Sequence, residues 1–141
     1  AEIEAAAELR GVVEPPVAAL AAERAAPEAV ERLEALNAEM RAAEGDDYRF
    51  MRADSGFHLA LARAAGNPLL LEAVERSRLL LARALEALPE SPAWHERSVA
   101  QHAALLEALR DGDAERARAA MARHVEDTNR ALRLMLTALG S

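Results

Sequence analysis

The sequence predicts an all-α fold, an antiparallel bundle of about six helices. Composition is the first observation behind this. Just over half the residues (52%) are apolar but only 3% are aromatic, so Leu, Ala and Val must build the core. With only 6 Gly and 6 Pro, that mixture favours helix over strand. The second observation is punctuation: Gly, Pro and capping residues gather at a few boundaries, and the segments between them carry apolar residues at helical spacing. The third is length. A chain of 141 residues makes one domain of ordinary size, long enough for a real core.

The first helix runs from near Ile3 to Arg24. Pro15 and Pro16 remove two backbone donors from its middle and should kink or split it. Pro27 suits the first turn of a second helix, which reaches about Ala43. Gly45 stops it, and Asp46 or Asp47 caps the third, which carries Phe50, Asp54, His58 and Leu61 on one face. Ala65-Gly66-Asn67-Pro68 is the clearest boundary: a left-handed Gly, a capping Asn and a proline at the first helical position. The fourth helix, to about Leu88, is apolar around much of its circumference, as befits a central element or a subunit contact. Ser91-Pro92 repeats the cap-plus-proline start, and the fifth helix extends to about Arg110. Gly112 ends it, and Asp113 caps a sixth that runs to about Leu139.

Charge and composition exclude several classes. There is no cysteine, so disulfides and thiolate metal sites are ruled out. Net charge is −7, and every basic residue is an arginine set among acids, which leaves no basic footprint for nucleic acid. No apolar run approaches the roughly 18 residues needed to span a bilayer. No signal-peptide pattern opens the chain. The chain starts without Met and inside a helix, so residues 1–141 are expected to be one domain of a longer, cytoplasmic protein.

Four polar residues stand out. Asp54 and His58 are four apart on one helical face and can chelate one ion together. His102 and His124 each interrupt an apolar stripe: Ser98, Val99, Leu105, Leu106 and Leu109 on the fifth helix, and Ala117, Ala120, Met121, Thr128, Ala131, Leu132 and Met135 on the sixth. A buried imidazole without partners costs ~1–3 kcal/mol. Shared coordination of a cation would relieve that cost for all three histidines at once. Imidazole and carboxylate suit zinc, nickel, manganese or iron. The competing reading makes each a hydrogen-bonded core residue. His95, two turns before His102, either lines the same cavity or sits exposed near its helix start beside Trp94.

With these residues located, a family pattern emerges. Asp54-Ser55-Gly56-Phe57-His58, Leu61 and Ala64-Ala65-Gly66-Asn67-Pro68 resemble the signature of the FCD domain, the C-terminal effector-binding domain in the FadR branch of GntR transcription regulators. The resemblance continues through His102 to Leu109, Gly112-Asp113-Ala114-Glu115 and Ala119 to His124. Near the start it includes Leu9-Arg10, Glu14-Pro15 and Leu20 to Ala25. It implies a metal held by Asp54, His58, His102 and His124, and a homodimer that senses small carboxylates or sugar acids. It also implies a DNA-binding winged helix N-terminal to this domain and missing here. A count of about six helices is more like the VanR-type subgroup. The sequence departs from the pattern at Pro16 and at Gln101, where an acid commonly precedes the histidine; the Gln101 side chain is expected to point away from the metal.

On this reading a carboxylate effector displaces water from the metal, and a second group reads the rest of the ligand. Arg10 on the first helix is the leading candidate, its alternative being an ion pair with Glu14 one turn later. Thr128 either bonds a ligand hydroxyl or returns its hydroxyl to the backbone four residues earlier. Dimerisation should use the fourth helix or the first. Two other functions stay open: a metal-dependent enzyme, for which His95 is the only spare imidazole, and a structural dimerisation domain without metal.

Overall fold

The structure is a computed structural model that describes residues 2–86 and 92–140. Six helices account for almost all of it: α1 (Glu2–Arg24), α2 (Pro27–Ala42), α3 (Asp47–Ala64), α4 (Pro68–Glu86), α5 (Pro92–Arg110) and α6 (Ala114–Gly140). No strand occurs among the described residues. The all-α expectation holds, and the described helix limits lie within a residue or two of the sequence reading. The extension of α4 to Leu88 and the capping role of Ser91 lie outside the described residues.

Local chemistry explains the boundaries. Asp46, rather than Asp47, caps α3 by accepting the Arg49 backbone N–H at 3.1 Å. Asn67 accepts from Leu69 and Leu70 at 3.0 and 3.3 Å, which starts α4. Asp113 does the same for Arg116 at 3.1 Å. Gly112 takes φ +63, and paired bonds from Gly112 N–H to Leu109 and from Asp113 N–H to Ala108 close α5 as a Schellman motif. Arg24, at the end of α1, donates to the Ala65 carbonyl at 2.9 Å and so satisfies the end of α3 from a different element.

Of the kink or split expected at Pro15-Pro16, the split does not occur. Helix α1 runs unbroken through Pro15 and Pro16. Its neighbours hold it: α1 packs against α3, α4, α5 and α6. Burial of Ala6, Ala7, Val17, Ala18, Ala19 and Ala21 outweighs the local loss of two backbone donors. Around it, Leu33, Phe57, Leu61, Val74, Leu105, Leu106, Leu109, Met121 and Val125 form the main core. Helix α4 is not central. Val74, Leu81 and Leu85 are buried, whereas Leu69 and Leu79 face outward, each 74% exposed.

Candidate metal centre

Helices α3, α5 and α6 bring Asp54, His58, His102 and His124 together, as the sequence reading expected. All four residues are buried, and each offers a ligand atom within 4.8 Å of the others. His102 Nε2 lies 3.2 Å from His124 Nε2. Asp54 Oδ1 lies 3.4 Å from His58 Nε2 and 3.5 Å from His102 Nε2. Metal–nitrogen bonds of roughly 2.0–2.1 Å place tetrahedral ligand atoms ~3.3 Å apart, so these spacings fit one divalent cation. His58 Nε2, buried in the cluster, has no hydrogen-bond partner. An orphaned imidazole nitrogen beside a carboxylate oxygen is what a cation would satisfy, so the donor set fits the group.

The rest of the first helix's polar pair belongs here too. Glu14 is buried and places one carboxylate oxygen against His58 Nδ1 and the other 3.2 Å from Arg10 Nε. Arg10 therefore makes the Glu14 ion pair considered as its alternative reading. It also lines the central cavity, where its Nη1 is buried without a partner. Thr128 likewise donates to the His124 carbonyl at 3.0 Å, yet lines the same cavity. That cavity, bounded also by Asp54, Ser98, Trp94 and His124, is small, about 20 Å³. It has room for one water molecule. A wider groove of about 700 Å³ runs between α2 and α3, but its Arg49 is half exposed and already paired with Glu39.

Three features escaped the sequence reading. Arg78 on α4 is buried and donates to Asp54 Oδ2 and to Ser55 Oγ, both at 2.9 Å. It sits four residues after Val74 and three before Leu81, so a charge on an otherwise apolar stripe was its signal. Glu14 carried the same signal on α1, four after Arg10 and three before Val17. Gln101, expected to point away, does not face the centre but holds it from outside. Its Oε1 lies 2.6 Å from His124 Nδ1, while its amide nitrogen donates to Asp127 at 2.7 Å. Asp127 can only accept, which turns the amide oxygen towards His124. His95 is buried rather than exposed. Its ring packs tilted against Phe50, with centroids 4.4 Å apart, and lines a separate hollow with Arg41, Glu44 and Glu96.

Electrostatics split the histidines. Burial pushes His102 down to about 3, and the neighbouring His58 adds to this against the pull of Asp54. His124 is also lowered, by burial and then by His102 and His58. For His58 burial works downward and is the largest single influence, but Glu14 and Asp54 together outweigh it and the imidazole is raised. Burial opposes ionisation of Asp54, yet Arg78 and His58 hold its carboxyl well below the usual range. Glu14 follows the same pattern, with His58 and Arg10 overcoming burial.

A helical bundle enclosing one carboxylate and three imidazoles defines a class, and comparison with known proteins gives it a family. The model of the FCD domain matches residues 5–127, and the chain belongs to that family. Its fold resembles that of E. coli McbR/YncC, with a TM-score of 0.85 and 23% identity over 94% of this chain and 65% of that one. It also resembles Streptococcus agalactiae GntR, with a TM-score of 0.76 and 25% identity, covering 92% of this chain and 59% of that one. This chain thus spans less than two thirds of either structure's length. Comparison with curated proteins returned no match. No described helix is long and apolar enough to cross a membrane.

Proposed function

We propose that residues 1–141 form the ligand-sensing and dimerisation domain of a cytoplasmic GntR-type transcription regulator. Asp54, His58, His102 and His124 hold a divalent transition metal, zinc foremost, with nickel or manganese as alternatives. Through that metal the domain binds a small carboxylate or sugar acid. DNA is contacted by a winged helix N-terminal to this chain.

The observation that carries this reading is the company the four residues keep. Glu14, Arg10 and Arg78 are buried around them, so that with Asp54 two carboxylates stand against two guanidiniums. Their formal charges cancel. When bound, a divalent cation supplies a Lewis-acidic anchor and leaves the cluster with excess positive charge, which a buried site neutralises with an anion. Arg10 keeps an unpartnered Nη1 at the cavity for that anion, in the geometry of charge-assisted recognition. The oxygen of Thr128 can still accept from an effector hydroxyl, because its own proton is spent on His124. A cavity of about 20 Å³ cannot enclose an organic acid, so binding requires its wall to open. The enzyme alternative finds less support, since His95, its spare imidazole, lines a different hollow.

The test is thermal shift on metal-stripped protein. Zinc, nickel or manganese should raise the melting temperature, and a panel of small carboxylates should raise it further only with metal present. Arg10→Ala should keep the metal response and lose most of the carboxylate response. If Arg10→Ala responds to carboxylates like the wild type, the anchoring role is wrong.

A further inference from the structure

We propose that Glu14 is the positioning residue of this centre: it fixes the tautomer of His58, tethers Arg10, and so ties helix α1 to the metal-binding face. This rests on the metal-and-anion reading above. Glu14 is 1% exposed, and its carboxylate is divided between two partners on different elements. One oxygen meets His58 Nδ1 on α3; the other meets Arg10 Nε at 3.2 Å on its own helix. A carboxylate only accepts, so the His58 proton belongs on Nδ1. The lone pair is then left on Nε2, the orphaned atom 3.4 Å from Asp54 Oδ1.

Each of the other histidines is treated differently. His124 is oriented by the neutral amide of Gln101. His102 has no partner at Nδ1, and its ring lies flat on Phe57 at 4.1 Å instead. Glu14 alone among the described residues joins a candidate ligand to the candidate anion anchor. It grips Arg10 by Nε, which leaves Nη1 without a partner and able to meet an incoming anion. Capture of that anion by Arg10 and retention of the metal by His58 therefore share one carboxylate. The helix that carries it packs on four of the other five.

Two measurements test this. The first is a long-range proton–nitrogen NMR correlation on metal-stripped wild type, at a pH above the imidazole titrations. The His58 signal is assigned by its absence in His58→Gln. The proton should reside on Nδ1, and Glu14→Ala should shift the population towards Nε2–H. A wild-type proton on Nε2, or an unchanged tautomer in Glu14→Ala, would overturn the proposal. The wild-type spectrum needs no variant to fold. The second is zinc affinity by competition with a chelator. Glu14→Ala should weaken zinc about 10–100-fold, as loss of an outer partner does. Glu14→Gln, which keeps an acceptor for Nδ1–H, should recover part of that loss. Equal zinc affinity in wild type and Glu14→Ala would refute the positioning role. A wild type that binds no zinc would sink the metal reading alone, and the tautomer would still decide the role of Glu14.

Discussion

The three central histidines share burial but not partners, and the Glu14 and Asp54 carboxylates beside His58 make them unequal, which sets how the metal-free protein answers to pH. As pH falls below ~6.5, the unfolded chain protonates all three. The folded chain accepts a proton at His58, whose affinity is raised, and refuses it at His102 and His124, whose affinities are lowered. Three protons against one leaves the unfolded state two ahead, so stability falls with pH by up to about 2.7 kcal/mol per unit from this cluster. Above ~6.5 the sign reverses: the folded state keeps the His58 proton that the unfolded chain has lost, and this contribution fades as pH rises through the folded value. The melting temperature of stripped protein should therefore peak near neutrality and drop steeply towards pH 4. A His102→Asn variant should show a shallower acid limb. A flat profile from pH 7 to 4 would contradict the neutral burial of His102 and His124. The four candidate ligands were legible in the sequence because Asp54 and His58 share a helical face four residues apart and His102 and His124 each interrupt an apolar stripe. Glu14, Gln101 and Arg78 were not read as parts of the site, because charge or amide at helical spacing does not say which neighbouring helix it meets.

At the scale of elements, turn chemistry was the most legible part. Gly66, Asn67, Pro68, Gly112 and Asp113 act where the sequence puts them, since a cap is decided within a few residues. Pro15-Pro16 was less legible for the opposite reason: local rules predict a kink or a split, and packing against four helices keeps the helix from splitting. Gly112→Ala tests the local side. Its φ of +63 costs a Cβ-bearing residue about 1–2 kcal/mol, and an added Cβ meets nothing closer than the Ala22 carbonyl at 3.9 Å. The variant should melt a few degrees lower while taking up zinc as well as the wild type. A loss of zinc binding would mean that the α5–α6 turn sets the register of His102 against His124.

For the whole molecule, α4 presents Leu69 and Leu79 to solvent, and α1 presents Val12 at 67% exposure. These are the two helices between which the sequence reading left the dimer contact undecided. Sedimentation of the wild type should give a dimer at micromolar concentration, and Leu79→Glu should shift it towards monomer. An unchanged dimer would move the interface away from that face of α4. The central claim is that Asp54, His58, His102 and His124 hold a metal, and metal content tests it most directly. Mass spectrometry should be run on protein purified without chelator or metal-affinity tag, beside His102→Ala. Near-stoichiometric zinc, nickel or manganese in the wild type, lost in the variant, is the expected result. A wild type without metal, and with no uptake of any of the three ions, would contradict the claim and leave the buried cluster as hydrogen-bonded core.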